Sequence, residues 1–275
     1  MASEGVPRPE PTTDVSPARW LEEEIGEFAS GVRALIPPRF EAYARILHPA
    51  GSADGGDVSW QEVAAWSGRR MHALAQFEAI SRPAAGSGSG PRPFEYDPLD
   101  GEPDPELLEA LCEILAGHTT TPERCWFCLW EGWGWIDDGG VIITSGPQTG
   151  DSFDLPPAFP DAVLKGPRVR LSGRDYILLA GELAGALQIG DRYPERIHER
   201  YPEVDPSTFD PQPPSVFWPD DRAWCVASEL DLVSTYVGGT AALIDGILAD
   251  PRLEAWRVYP DDPIDESSDR INDPR

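Results

Sequence analysis

The chain is poor in lysine and histidine and has no long apolar run. Lys165 is the only lysine among 22 basic residues, and there are four histidines. No run of about 18 apolar residues occurs, which argues against a membrane-spanning helix. Residues 1–14, MASEGVPRPEPTTD, have neither the basic nor the apolar region of a secretion signal. We therefore expect a soluble cytoplasmic protein with no membrane partner. Lysine codons are AT-rich, so the shortage of lysine indicates a bacterium with a GC-rich genome.

Familiar catalytic motifs are also missing. The sequence contains no GxSxG, no HExxH, no Walker or kinase motif and no EF-hand loop. Its four histidines lie far apart, so none has a nucleophile or a metal ligand as an obvious neighbour. These absences favour a non-catalytic protein without a cofactor, and an enzyme stays open as the alternative.

Acidic residues far outnumber basic ones. The chain has 48 Asp and Glu against 22 Lys and Arg, which gives a formal net charge of −26. Such a charge repels nucleic-acid phosphates and anionic lipid and favours solubility. A solvated surface is the simplest interpretation. An imitation of DNA, or an inhibitor of a basic protein partner, is the alternative.

Helical patterns precede strand patterns along the chain, which is typical of an α+β protein. We predict N-terminal helices packed on a Trp-rich, mostly antiparallel sheet, with one late C-terminal helix. Residues 1–15 are predicted to be disordered, and residues 16–260 to form one α+β domain with a flexible loop near 81–104. Residues 261–275 are predicted to be an acidic, disordered tail.

Capping residues and apolar spacing place the individual elements. Predicted helices cover residues 16–35, about 40–47, 59–66 (opened by a Ser59–Glu62 capping box), 69–80, 104–117 and 240–248. Predicted strands are the aromatic stretch from Cys125, its hairpin partner at 141–144, and residues 169–171, 176–180, 216–218, 224–227 and 256–259.

The four cysteines, Cys112, Cys125, Cys128 and Cys225, raise the question of a metal or redox site. A structural zinc needs four ligands, and the CxxC at 125–128 has no second CxxC to complete it. If this stretch is a strand, its two cysteines point to opposite faces and cannot chelate one ion. We therefore predict buried, inert cysteines and no metal.

Residues 59–80 fit the outline of a helix-turn-helix, with Gly68 in the turn. The second helix would present Arg69, Arg70, His72 and Gln76 to DNA. The charges of this segment cancel, however, and duplex binding draws most of its affinity from phosphate neutralisation. Nucleic acid is therefore not the expected partner.

Tryptophans and charged residues mark a candidate pocket. Aromatic stripes on a sheet can stack ligands, but more often they form the core. Glu229 and Asp231 would share a face of an extended segment, as an acid/base pair or as charges that discourage strand aggregation. If the strands near 125–135 and 217–231 meet, the pocket lining would be Trp130, Trp133, Trp218, Arg222, Trp224, Glu229 and Asp231.

Three segments carry a resemblance to other bacterial proteins. They are LIPPRFEAYARILHP (35–49), TTTPERCWFCLWEGWG (119–134) and FWPDDRAWCVASELDLVSTYVGG (217–239). On these the chain resembles a group of uncharacterised proteins from high-GC Gram-positive bacteria, over most of its length except the termini and the segment near residue 85. No activity is known for that group, so the resemblance implies neither a function nor site residues.

The sequence thus favours a non-catalytic cytoplasmic binding or protein-interaction protein. An acidic, immunity-type inhibitor of a basic toxin fits the charge. The alternative is an enzyme or small-ligand-binding domain with an aromatic pocket around Arg222, Glu229 and Asp231.

Overall fold

The computed structural model describes residues 5–25, 31–88, 90–136, 157–192 and 209–272, together with positions 195, 198 and 202. Within these residues nine strands form one antiparallel sheet, and helices and irregular segments cover both of its faces. None of the helices in these ranges has the length and apolarity that crossing a bilayer requires. The prediction of an α+β fold with a mostly antiparallel, Trp-containing sheet is confirmed.

Thirteen strands occur in the described part of the chain. They are β1 (Glu10–Thr12), β2 (Ala42–Leu47), β3 (Ala50–Gly51), β4 (Asp57–Val58), β5 (Cys125–Trp130), β6 (Val169–Leu171), β7 (Arg174–Gly181), β8 (Gly190–Asp191), β9 (Asp210–Pro211), β10 (Val216–Pro219), β11 (Cys225–Ser228), β12 (Ser234–Gly239) and β13 (Ala255–Val258). The large sheet has the order β1-β7-β5-β10-β11-β12-β2-β13, and β6 shares the outer edge of β7 with β1. The two remaining pairs are β3 with β4 and β8 with β9.

Six α-helices are described. They are α1 (Arg19–Glu24), α2 (Trp60–Ser67), α3 (Phe77–Ile80), α4 (Pro105–Ala116), α5 (Asp161–Leu164) and α6 (Ala241–Ala249). The side chain of Asp104 accepts hydrogen bonds at the start of α4, and that of Thr240 accepts one at the start of α6. Such caps satisfy backbone N–H groups that have no partner within the helix. They fix the residues at which the two longest helices begin.

The sheet separates two cores, and a third lies beside it. On one face, α4 and α6 pack Leu111 and Ile244 against the large side chains of the central strands. On the other face, Trp20 from α1 packs edge-on against Trp218 of β10. The third core lies around Trp60 of α2. The sheet is therefore apolar on both faces, which removes the alternation that identifies a half-exposed strand.

The predicted helix at residues 40–47 is wrong, because this segment is β2. All six residues of β2 are buried, and the strand pairs with β12 on one side and β13 on the other. A strand buried on both faces carries no period of two, so its apolar spacing can match that of a helix. The strand β12 was not predicted, because it contains two glycines and glycine is unfavourable in strands. A Cβ on Gly238 would lie 2.6 Å from Cγ2 of Ile36, so the close packing there needs glycine.

The predicted helix at 16–35 ends early, because α1 stops at Glu24 and Ile25 has an extended backbone.

The described parts of both terminal segments are more ordered than predicted. The predicted disordered N-terminus contains β1, which pairs with β7. In the predicted disordered tail, Asp269 and Asn272 are buried against residues 69–76. Both corrections come from contacts between distant parts of the chain.

The helix-turn-helix hypothesis fails at its second helix. The capping box at Ser59 and the left-handed Gly68 at the end of α2 are as predicted. Residues 69–76 are not helical, however, and α3 has only four residues. His72 instead contacts Asp269 of the tail. No recognition helix forms in this segment.

The predicted aromatic strand begins at Cys125 as expected but ends at Trp130, and residues 131–136 form turns. The other predicted strands in the described residues and the last two predicted helices are confirmed to within two residues. The predicted strand at 141–144 lies outside the described residues.

Candidate functional site

Two of the predicted pocket residues are core residues on opposite faces of the sheet. Trp218 belongs to the core beside α1, and Trp224 to the core beneath α4 and α6. Both are fully buried. They cannot line one pocket, because the sheet lies between them.

Arg222 lies away from the other predicted charges. It occupies the turn before β11, where its guanidinium carbon is 5.3 Å from the ring centre of Trp20. Glu229 follows the other end of β11. At about 3.3 Å per residue, this separates the two backbones by roughly 20 Å. The predicted convergence of Arg222 with Glu229 and Asp231 is therefore wrong.

The other predicted pocket residues lie around Arg174, which was not among the predicted site residues. Its Nε lies 2.8 Å from Oε1 of Glu229, and its Nη2 lies 2.6 Å from Oδ2 of Asp231. Its guanidinium carbon is 5.6 Å from the ring centre of Trp130, which Trp133 meets edge-on. Burial raises the pKa of Glu229, and the charge of Arg174 opposes that rise. The two carboxylates thus share one cation in a turn, rather than forming a free acid/base pair.

The cleft beside this cluster is small. Glu229, Tyr176 and Ser215 contribute to its lining, and its volume is about 10 Å³. That is room for about one water molecule. No group of three His, Cys, Asp or Glu side chains in the described ranges is arranged to hold a metal ion. The cleft therefore has no room for an organic substrate in the described conformation.

The CxxC cysteines belong to different cores. Cys125 lies in the core beneath α4 and α6, and Cys128 lies in the core on the opposite face. The predicted opposite orientation of the two thiols is confirmed. Burial raises the pKa of all four thiols, that of Cys125 to about 12.

We expect all four thiols to resist alkylation in the native protein, because the thiolate is the reactive form and each side chain is buried. Iodoacetamide at neutral pH should add no label to the native protein, whereas denaturant should allow four labels per chain. Intact-mass measurement counts the labels. Rapid labelling of any thiol in the native protein would contradict the prediction.

Residues 95–104 (EYDPLDGEPD), termed the acidic loop, combine charge with exposed apolar groups. They carry five carboxylates and no cation. Tyr96 and Leu99 are 66% and 63% exposed, and they are two of the four large apolar side chains that the described residues expose. This segment falls within the flexible loop predicted near 81–104. The overlooked signal was the mixture of acids with Tyr96 and Leu99.

The acidic loop is fixed to the sheet. The Nδ1 of His48 donates to the carbonyl of Leu99 at 2.9 Å, and the N–H of Gly101 donates to the carbonyl of Leu232 at 2.9 Å. Gly101 has a φ of +67°, and a Cβ there would lie 2.6 Å from Cα of Leu230. These contacts hold the loop in one place against the sheet.

His48 makes the stability of the protein depend on pH. It is buried, and its Nε2 accepts from the hydroxyl of Thr235, 2.9 Å away. Burial lowers the pKa of His48 to about 4. The unfolded chain binds a proton at this position near pH 6.5, so it binds more protons than the folded chain between about pH 6.5 and 4. Stability should therefore fall as the pH falls through that window.

We expect His48 to contribute about 3 kcal/mol to this loss of stability between pH 7 and pH 4. Urea unfolding of the wild type and of His48→Gln at several pH values isolates the contribution, since the remaining groups are common to both proteins. The glutamine variant should show a shallower pH dependence. Parallel curves for the two proteins would contradict a neutral, buried His48.

Carboxylates of the acidic loop lie near carboxylates from other segments of the chain. Partial burial and the charge of Asp231 raise the pKa of Asp100. Partial burial and the charge of Asp210 raise the pKa of Glu102. Within the described ranges, neither Asp100 nor Glu102 forms an ion pair with an arginine or lysine. The folded chain therefore holds Asp100 and Glu102 near other carboxylates, with no ion pair of their own in the described residues.

The same holds at the start of α4. Burial, a hydrogen bond with the carboxyl of Glu106 and the charge of Asp57 raise the pKa of Asp104 to about 6. The acidic surface therefore extends from the acidic loop onto the first turn of α4.

A shallow apolar groove borders this surface. Its walls are Pro103, Pro105 and Leu108 on one side, with Leu187, Ile189 and Pro211 opposite, and its volume is about 20 Å³. Glu102 and Asp104 flank Pro103 in the chain, and Asp210 precedes Pro211. Acidic residues thus lie next to wall residues along the chain in two separate segments.

The described residues define an α+β protein with a fixed acidic loop beside an apolar groove. Comparison of the chain with protein-family models, with curated proteins and with solved structures finds no significant match. The function is therefore argued from the chemistry of this surface.

Proposed function

We propose that this is a non-catalytic cytoplasmic protein that binds a basic protein partner through the acidic loop, in the manner of an immunity-type inhibitor. The observation that carries the proposal is the set of carboxylates at Asp100, Glu102 and Asp104, each of which lies near a carboxylate from elsewhere in the chain and forms no ion pair within the described residues. A cationic partner relieves this repulsion when it binds. Complementary charge also accelerates the encounter of the two proteins and disfavours acidic competitors.

A protein suits this surface better than a metal ion does. The carboxylates are spread along the loop, and no three of the described ligand groups converge on one point. Tyr96 and Leu99 are exposed between them. Aromatic and aliphatic anchors amid polar groups are typical of protein interfaces.

Affinity capture with a matched pair of variants tests the proposal. The loop variant carries Asp97→Asn, Asp100→Asn and Glu102→Gln, and the control variant carries Glu23→Gln, Glu123→Gln and Glu266→Gln at exposed positions elsewhere. Both variants lose three negative charges. We expect wild type and control to retain the same basic protein from an extract of the source bacterium, and the loop variant to lose it. The retained protein should elute as the salt concentration rises.

The captured protein must then be shown to respond. Its activity, measured after purification, should fall when the wild-type chain is added and persist when the loop variant is added. Capture that does not depend on the loop carboxylates, or a retained protein that is acidic, would contradict the proposal.

A small-ligand site is the second candidate. The cluster of Arg174, Glu229, Asp231 and Trp130 favours it, because it places a cation, two carboxylates and an aromatic face together. The adjoining cleft has a volume of about 10 Å³, so this candidate requires the cleft to open when a ligand binds. Native mass spectrometry of the untagged protein tests this candidate. A small molecule that co-purifies with wild type but not with Arg174→Gln would favour the ligand site. A mass equal to that of the protein alone would favour the protein-binding proposal.

A further inference from the structure

The groove beside the acidic loop is apolar and narrow. Three of the walls named above are prolines, which offer ring carbons and no N–H donor. A volume of about 20 Å³ is room for one or two water molecules, so only part of a narrow side chain fits between the walls and an aromatic ring does not. The groove by itself therefore favours a narrow side chain over a ring.

Carboxylates adjoin the groove from two segments of the chain. Glu102 lies next to Pro103, and Asp210 lies next to Pro211. The two charges are close enough for Asp210 to raise the pKa of Glu102. Neither carboxylate has an ion-pair partner in the described ranges. Two carboxylates that act on one another therefore belong to residues next to the apolar walls Pro103 and Pro211.

Only some side chains can both contact apolar walls and pair with carboxylates. A purely apolar side chain would fill the groove but would remove water from unpaired carboxylates, which is unfavourable. A small inorganic cation would pair with the carboxylates but would leave the apolar walls in water. Lysine and arginine carry an aliphatic stem and a cationic head, so one side chain can contact both.

We infer that this groove binds the aliphatic stem of a lysine or arginine from the basic partner, with the cationic head against Glu102 and Asp210. The inference rests on the proposed function and adds to it the place where the partner inserts and the residue that it inserts. Charge complementarity alone would accept any cation. The groove adds a preference for a long stem.

Two peptides of equal charge test the stem. One is N-acetylated hexalysine amide, and the other is the same hexamer of 2,4-diaminobutyrate, whose side chains are two methylenes shorter. Titration calorimetry at pH 7 and low salt should show that hexalysine binds wild type about tenfold more tightly, because its stems bury more apolar surface. In Leu187→Ser this preference should disappear, while the affinity for the diaminobutyrate peptide stays within about twofold.

A second pair of variants tests the carboxylates. Glu102→Gln with Asp210→Asn should weaken hexalysine about tenfold, whereas Glu23→Gln with Glu266→Gln, which removes the same charge elsewhere, should weaken it about twofold at most. Thermal unfolding verifies that each variant is folded.

The outcomes separate the inference from the proposed function. Equal affinities of the two peptides for wild type, or a preference for hexalysine that survives Leu187→Ser, overturn the groove inference. Salt-dependent binding of both peptides would still support the function. If neither peptide binds, the groove inference is overturned, and the capture experiment decides the function separately.

Discussion

Replacing Trp224 with alanine is expected to lower the free energy of unfolding by about 3–5 kcal/mol. Trp224 is fully buried in the core beneath α4 and α6. Its ring meets Phe217 edge-on with the centroids 5.8 Å apart, and its Nε1 donates to the carbonyl of Leu115 at 3.2 Å. The substitution would open a cavity between the sheet and α4 and would leave the Leu115 carbonyl without its donor. Urea unfolding followed by circular dichroism measures the change.

A second variant separates the packing of Trp224 from its hydrogen bond, and a third serves as a control. Trp224→Phe keeps most of the packing but removes the indole N–H, so it should cost less, about 1–3 kcal/mol. Tyr259→Ala removes a ring that is 64% exposed, and it should change stability by at most about 0.5 kcal/mol. A loss below about 1 kcal/mol for Trp224→Ala would contradict the core role and return Trp224 to the candidate pocket.

The second large effect is expected in the C-terminal segment, where Asp269→Ala should cost about 3 kcal/mol. The carboxylate of Asp269 accepts from Nε2 of His72 at 2.8 Å and from the backbone N–H of Gln76 at 3.2 Å. It also accepts from the backbone N–H and Nδ2 of Asn272, both at 2.9 Å. The substitution would leave several donors without an acceptor in a largely buried place.

The sign of the pH dependence gives an independent test of Asp269. Burial opposes its charge, but hydrogen bonds from Asn272, His72 and Gln76 outweigh burial and lower its pKa. A lowered pKa in the folded state stabilises the fold above about pH 4, and the stabilisation is lost as the pH falls through the folded value. Asp269→Asn should therefore remove part of the acid sensitivity of the wild type below about pH 4.

Deletion of the tail distinguishes the structure from the sequence-based prediction. A disordered tail could be removed after Pro260 without loss of stability. The structure instead places Ile264 in the core beside α1, with Asp269 against His72. Deletion should therefore cost at least as much as Asp269→Ala. Glu266→Gln, at an exposed position of the same segment, should change stability by at most about 0.5 kcal/mol. A fully stable truncated protein would restore the prediction of a disordered tail.

Elements with local signals could be predicted well. The cap at Ser59 and the left-handed Gly68 bound α2, and Asp104 opens α4, because a helix end must satisfy its own backbone groups with nearby side chains. The strand β5 was identifiable by its aromatic composition, and the alternation of side chains along a strand correctly separated Cys125 from Cys128. These features depend on residues within a few positions of one another.

The candidate site was predictable only in part. Glu229, Asp231, Trp130 and Trp133 do lie together, but the residue that joins them is Arg174. Position 174 is separated from position 229 by 55 residues. No local pattern connects residues so far apart. The acidic loop was visible in the sequence as charge, while its fixed position depends on His48, which lies 51 residues before its partner Leu99.

The sequence by itself determined the acidic charge, the caps of the longer helices, the α+β class and the opposite orientation of the two CxxC thiols. Only the tertiary structure decided that residues 42–47 form a strand, that the tail is ordered, and that Trp218 and Trp224 are core residues on opposite faces of the sheet. The physical reason is the separation along the chain of the residues that interact. Caps, charge and alternation are properties of neighbouring residues, whereas β2 is buried by β12 and β13, some two hundred residues away. Burial by a distant partner overrides local propensity when both faces of a segment are covered.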